Sequence, residues 1–410
     1  MNGVCAIGVS AGLGSVLTLA AAADLAVTTI IETGDALPGV AGLTVPAVGS
    51  FPAPFEFWPS TDGSSFTFAV RVGEGTSLEG LYRRSADGTI SVVADPFGSV
   101  PLLNTGDPLE LDNVLSVHAT TPDGAAFSAV LPDGSGRALF LNTSSGTRIV
   151  ASDTAIPGAA QFERIGAGAW TGDSFLAVAR TEPSSRSQGL FEIFPNGHAE
   201  RLLTWGEEIP GVGTYFPASS LFPGAVGDGD DLAVTIPGGI AARVGDEWSL
   251  IERDARPATG DWAVSNGRVA FRTSSTVEWW SPEEGLNTIE VGGVLGDGAT
   301  VEFLAGFNSF AVDGDLLAFF AGTDQGNFVY TLDLASGELD RLIEVGVDTI
   351  GGRTIGLVEF GETSLENGTL AFTAGFGSGQ SGLYAIQIPG AGTLPLLGVG
   401  VVAAWRRRRG

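Results

Sequence analysis

An Asp-Gly or Asn-Gly type turn, set directly before a short apolar strand, recurs along this chain and restricts the fold more than any other feature. It stands at Asp62-Gly63 before an apolar run at 66–70, at Asp123-Gly124 before 126–130, at Gly172-Asp173 before 175–179 and at Gly229-Asp230 before 232–236. It returns at Asn266-Gly267 before 269–272, at Asp313-Gly314 before 316–320 and at Asn367-Gly368 before 370–374. Such turns accept positive φ and join two antiparallel strands tightly. From Gly63 to Gly368 the turns are spaced by about 51 residues on average, near the size of a four-stranded propeller blade.

A second strand follows each turn. It reads Gly80-Leu81-Tyr82, Ala138-Leu139-Phe140, Gly189-Leu190-Phe191, Phe328-Val329-Tyr330 and Gly382-Leu383-Tyr384, and is weaker at Gly239-Ile240-Ala241 and Val277-Glu278-Trp279. A third strand comes next in six units but has no copy after Tyr384. The segment 25–39, LAVTTIIETGDALPG, instead resembles the end of a unit, as at 147–158 and 200–211. The N-terminal strand is therefore expected to supply the last strand of the last blade, closing a ring and removing the edges an open array would expose. The fold expected is all-β: a single β-propeller of seven four-stranded blades, with six or eight as alternatives, spanning 24–389. The loops at 34–39, 153–158, 206–211 and 346–352 share a Gly/Asp, aliphatic, Pro/Gly-Gly pattern and are expected to connect blades. Insertions at 49–59 and 96–113 are expected to project from one rim, where propellers often place binding.

The composition agrees with a β fold that has ample apolar surface: 61 Gly, 24 Phe and 8 Trp, with 44% of residues hydrophobic. The net charge is −27, and every basic residue is Arg. A body this acidic should repel nucleic acid and anionic lipid, so neither is an expected partner. The sole cysteine, Cys5, excludes a disulfide framework.

The termini carry addresses. Residues 4–23 are an apolar run ending in small residues ahead of Asp24, which reads as a secretory signal peptide over 1–23. At the other end Ile388-Pro389-Gly390-Ala391 precedes an apolar segment and then Arg406, Arg407, Arg408 and Arg409. This order over 390–410 resembles the PEP-CTERM type of bacterial protein-sorting tail, with Ile-Pro-Gly-Ala in place of the family's Pro-Glu-Pro. The resemblance implies a membrane-embedded exosortase as partner, with Pro389 and the Arg cluster as its recognition features. It implies export to the cell envelope, cell surface or extracellular matrix, with the C-terminus as a transient or permanent membrane anchor.

Chemical motifs are sparse. Gly8-Val9-Ser10-Ala11-Gly12 matches a nucleophile-elbow pattern but lies in the signal peptide, without its strand–turn–helix context. The glycine-rich run 375–382 lacks the Lys of a phosphate-binding loop. His118 falls in a strand-like run that could line a central channel, and His198 follows an exposed turn. Asp228, Asp230 and Asp231 have the oxygen density Ca²⁺ favours, without EF-hand spacing, so Ca²⁺ is the one cofactor the sequence suggests. Phe51, Phe55, Phe57 and Trp58 lie in a Pro-rich insertion and are candidates for stacking on a sugar ring, whereas Trp279-Trp280 reads as blade core. Together these features point to an exported binding or structural module acting on extracellular polysaccharide or another surface protein. Two alternatives stand beside it: a polysaccharide hydrolase or lyase using rim carboxylates, and a Ca²⁺-stabilised scaffold.

Overall fold

The computed structural model describes residues 24–39, 44–46, 59–71, 79–95, 99–104, 106, 108–110, 113–131, 136–216, 225–252, 262–273, 275–304, 309–377 and 379–389. Both proposed targeting segments, 1–23 and 390–410, fall outside them. The described residues form strands and one short 3-10 turn, Ser185–Ser187, and contain no helix long and apolar enough to cross a membrane.

The strands are arranged as a seven-bladed β-propeller. Each blade is built on an antiparallel sheet running from an inner to an outer strand, and in blade 2 Ala160–Gln161 is added in parallel at the outer edge. The inner strands are Ser60–Thr61, Asn113–Thr121, Arg164–Trp170, Ala225–Asp228, Trp262–Ser265, Phe310–Asp313 and Leu365–Glu366, in blades 1 to 7. Each leads into the Asp/Asn-Gly type turn that marks its unit. Asn266 and Asn367 adopt φ of 49° and 50°, and Gly267 and Gly368 are also positive, as a tight hairpin turn of this kind requires.

The blade strands read as continuous apolar runs because both of their faces are buried. Seven hydrophobic clusters fill the seven junctions between blades. Leu317, Phe319 and Ala321 of blade 6 pack toward blade 5, while Ala318 packs toward blade 7. Phe66, Phe68 and Val70 of blade 1 pack against Leu383 and Ala385 of blade 7. Among the described residues the core is divided among these junctions, so each blade is held by its two neighbours.

The ring closes as the missing outer strand after Tyr384 foretells. Thr28–Glu32 pairs antiparallel with Ser381–Gln387, the third strand of blade 7, and is its outermost strand. The imitation extends to detail. In blades 1, 2, 3 and 6 the outer strand is irregular opposite an aromatic position, at Leu81/Tyr82, Leu139/Phe140, Leu190/Phe191 and Val329/Tyr330. The N-terminal strand has the same irregularity between Thr29 and Ile31, opposite Tyr384 and Leu383. A polar latch joins this strand to blade 7: both Arg353 and Tyr384 donate to the Glu32 carboxylate, and the Arg353 guanidinium lies 4.3 Å from the Phe376 ring centroid.

The connectors between blades are built alike. The amides of Gly34, Gly206, Gly292 and Gly346 donate to the carbonyls of Val45, Tyr215, Val301 and Ile355 at 2.7–2.9 Å. Each such loop buries one aliphatic side chain: Leu37, Ile209, Leu295 or Ile350. The loop at 153–158 connects blades 2 and 3 without this bond, and Asp153 instead accepts from the Arg137 amide. The described part of the 96–113 insertion lies along blade 2, where Asn104 exchanges hydrogen bonds with the Ile149 backbone and covers a sheet edge.

Candidate functional site: the axial channel

The seven inner strands surround a cavity of about 390 Å³ on the propeller axis. Because each inner strand ends in its marker turn, the turns crowd around one mouth of this cavity. Hydrogen bonds link neighbouring turns into a collar. Asn367 Nδ2 donates to Asp62 O at 3.1 Å, and the Thr120 amide donates to Ser60 Oγ at 2.6 Å. The Gly229 amide donates to Thr171 O at 2.8 Å. Asp228 Oδ2 accepts from the Asn266 amide at 3.2 Å, and the Gly314 amide donates to Ser265 Oγ at 2.8 Å. The Asp313 carboxylate in turn accepts from the amides of Asn367 and Gly368.

The wall has two unlike sides. Blades 4, 6, 7 and 1 contribute Asp228, Asp313, Glu366 and Asp62. Burial raises the Asp313 pKa, as does nearby Asp228, although the two amides oppose the shift. Burial, together with the charges of Asp313, Asp228 and Asp62, pushes Glu366 up to about 7. Like charges gathered at one mouth cannot all ionise at little cost, so a proton is retained there near neutral pH.

Blades 2 and 3 contribute the opposite side, with His118, Thr121, Trp170 and Thr171. His118 is 8% exposed, and its Nε2 has no hydrogen-bond partner. Burial drives its pKa down to about 4, leaving a neutral imidazole. Phe175 joins this side from behind, with His118 edge-on at 5.9 Å and Trp170 at 4.8 Å between ring centroids. Trp262 also borders the cavity but is itself almost wholly buried.

A second cavity of about 410 Å³ lies beside blades 6 and 7, with Asp313 in the walls of both. Asp315, Asp333, Glu338 and Asp340 border it, as do Ile388 and Pro389. The Ile388 amide donates to Gly368 O, which places Ile388 beside the turn at the channel mouth.

The residues singled out in the sequence are placed unevenly. His118 lines the channel, as its strand suggests. Asp228 does too, whereas its neighbours turn to other partners: Asp230 O accepts from Arg243, and Asp231 Oδ1 from the Gly245 amide. Among the described residues no three His, Cys, Asp or Glu side chains are gathered to hold a metal ion. His198 is exposed, stacked on Phe194 and 3.1 Å from Glu200. Trp280 lies in the core between blades 4 and 5, and Trp279 packs against that between blades 5 and 6. Phe51, Phe55, Phe57, Trp58 and the cluster Arg406 to Arg409 lie outside the described residues. Asp62, Asp313, Glu366 and Trp170 were not legible as a site, although three of the four stand in or next to the marker turn.

No known family's sequence profile and no curated protein matches the chain. Solved structures similar to it include the β-propeller domain of the trilobed protease from Pyrococcus furiosus, at 15% identity and a TM-score of 0.45 over 72% of this chain and 86% of that one. Puromycin hydrolase is similar at 12% identity and a TM-score of 0.44 over 80% of this chain and 53% of that one. Pyrococcus horikoshii acylaminoacyl peptidase is similar at 14% identity and a TM-score of 0.43 over 73% and 46%. The chain thus spans about half the length of the latter two. The propeller assignment rests on the sheet order and closure described above.

Proposed function

We propose that this protein is an exported, envelope-associated binding propeller whose ligand enters the axial channel. The observation that carries this reading is the two-sided cavity, with carboxyl groups from four blades facing Trp170 and a buried, unpartnered His118. Pockets of this size accommodate small molecules or the end group of a larger one. Polysaccharide or another surface protein remains the partner class, on the strength of the export signals at 1–23 and 390–410. A glycan-array and pull-down screen with the purified protein tests the reading. A ligand retained by wild type and lost in Trp170→Ala supports it. A ligand indifferent to Trp170→Ala and Asp313→Asn places binding elsewhere and sinks it. Export is tested separately, by fractionating cells that carry the chain with or without residues 390–410.

A second reading is favoured by the placement of Glu366 in the channel wall with Asp313, Asp228 and Asp62, where burial and their charges raise its pKa to about 7. A protonated carboxyl facing an ionised one is the pairing that glycoside hydrolysis uses, with Glu366 as general acid. Release of reducing ends from a polysaccharide, abolished in Glu366→Gln, would establish it. The Ca²⁺-stabilised scaffold is tested by melting the protein with and without a chelator, and an unchanged Tm removes it.

A further inference from the structure

Three Asn-Gly pairs fall among the described residues, at 196–197, 266–267 and 367–368. Such a pair carries chemistry of its own. The amide nitrogen of the residue after Asn can attack the Asn side-chain carbonyl, and glycine, having no Cβ, obstructs that attack least. Both reacting groups are already joined through the chain, so the rate depends on how freely the carboxamide turns onto the backbone nitrogen.

The three pairs differ in that freedom. Asn266 and Asn367 are backbone twins, with φ of 49° and 50° at the same position of their blades' turns. Their side chains are held differently. Asn367 is pressed against blade 1: its Nδ2 donates to Asp62 O at 3.1 Å, and a Cβ placed on Gly63 would lie 2.8 Å from the Asn367 Cβ. The corresponding neighbour of Asn266 is the blade 6 turn, where a Cβ on Gly314 would meet nothing within 4 Å. Asn266 is exposed, and its carboxamide has no hydrogen-bond partner among the described residues. Its main-chain amide alone is engaged, by Asp228 Oδ2 at 3.2 Å. At the third pair both reacting groups are occupied. Asn196 Oδ1 accepts from the His198 amide at 2.8 Å, and the Gly197 amide donates to Phe194 O at 2.9 Å.

We infer that Asn266-Gly267 is a self-modification site, at which Asn266 converts to aspartate and isoaspartate while Asn367 and Asn196 persist. The Gly267 nitrogen gives its proton to water and bonds to Asn266 Cγ. The Cγ–Nδ2 bond breaks, and ammonia leaves. Water then opens the cyclic imide at either carbonyl, so water is the only co-reactant. One opening yields aspartate; the other yields isoaspartate and adds a carbon to the main chain. Whatever the channel binds, either product puts a new carboxylate beside Asp228. Isoaspartate also lengthens the tight turn between the paired residues Ser265 and Arg268. Because Ser265 Oγ accepts from the Gly314 amide, the collar link between blades 5 and 6 is the contact this lengthening disturbs.

The test is peptide-mapping mass spectrometry of the purified protein aged in mildly alkaline buffer, with isoaspartate scored by enzymatic methylation. In the folded protein Asn266 is expected to deamidate at least about tenfold faster than Asn367 or Asn196, the ratio that about 1.4 kcal/mol of barrier produces. In urea the clamps are gone, and the three rates should agree within about threefold. These comparisons are internal to one chain and need no variant to fold. Asn266→Gln, whose longer side chain closes this ring poorly, should remove most of the isoaspartate that the folded protein accumulates. Reaction of Asn367 or Asn196 as fast as Asn266 in the folded protein overturns the inference. So does a folded Asn266 that stays intact while the chain in urea reacts, or an isoaspartate yield unchanged in Asn266→Gln. A preference for Asn266 that persists in urea would mean that neighbouring sequence, and not the fold, sets the order, which also overturns it.

Discussion

Glu366 shows how a residue with an ordinary structural position acquires unusual chemistry. It is the last residue before the Asn367-Gly368 turn, and part of its surface is exposed. Burial and three neighbouring carboxylates nevertheless carry its pKa from the ordinary 4.5 to about 7. The sign of the effect on stability follows. The folded state binds more protons than the unfolded state between these values, so the native state loses stability as pH rises through that window. Glu366→Gln is therefore expected to raise the Tm at pH 8 and to make no difference below about pH 4. The gain should be about 1 kcal/mol, less than the full shift implies, because solvent screens a carboxyl that is partly exposed. Thermal melts of both proteins across pH 4–9 decide it. Glu32 has the opposite sign. Burial alone would raise its pKa, but hydrogen bonds from Arg353 and Tyr384 outweigh it and hold the carboxyl below its ordinary value. Its contribution is present above pH 4.5 and is lost as pH falls further. Glu32→Gln should lower the Tm at pH 7 and converge with wild type in acid.

These residues also show why the site was hidden in the sequence. An Asp in a turn is fully accounted for by the turn itself: Asp62 Oδ1 accepts from the Ser64 and Ser65 amides, a local role any Asp-Gly hairpin predicts. Only the placement of successive turns around one axis gives their carboxyl groups a common focus. That placement is a property of the ring and leaves no mark on any single unit.

At the scale of the element, legibility follows the aromatic position of the third strand. Gly80-Leu81-Tyr82 and Gly382-Leu383-Tyr384 are readable motifs because the tyrosine ring folds back over its own glycine. A Cβ on Gly382 would lie 2.4 Å from Tyr384 Oη, and one on Gly80 would lie 2.6 Å from the Tyr82 ring. Gly382→Ala should cost about 1–3 kcal/mol by displacing the ring, read as a lower denaturation midpoint. Blades 4 and 5 were faint because blade 4 has Ala241 at the aromatic position and blade 5 has Val277-Glu278 in place of the Gly-Leu before it, and their outer strands pair without the irregularity. The strand Thr28–Glu32 was legible for the opposite reason, since its resemblance to other outer strands is matched by its pairing. Deleting residues 24–33 removes buried Ile30 and Ile31 and should cost at least about 3 kcal/mol in burial alone. A variant that melts at the wild-type temperature would show that this strand does not close the ring.

At the scale of the whole molecule, each blade is stabilised by two neighbours, and blade 7 draws one of its strands from the opposite end of the chain. Thr28 pairs with Ala385, so the closing contact has almost the largest sequence separation the chain allows. Loop-closure entropy rises only slowly with length, but it must be met before the contact returns any energy. A circular permutant that joins Gln387 to Thr28 through a flexible linker, with new ends in the exposed loop at 182–184, should refold faster than the native order while keeping its melting temperature within a few degrees. Stopped-flow fluorescence of the two chains makes the comparison.

That closure also sets an order of events. A chain made from its N-terminus must keep Thr28–Glu32 unpaired until Ser381–Gln387 has been made, while the six complete blades can already assemble. The growing molecule is therefore an open crescent with a waiting strand at one end. Its last blade completes only when residues 381–387 are free to pair, so the closed ring reports that the propeller has been made to its last strand.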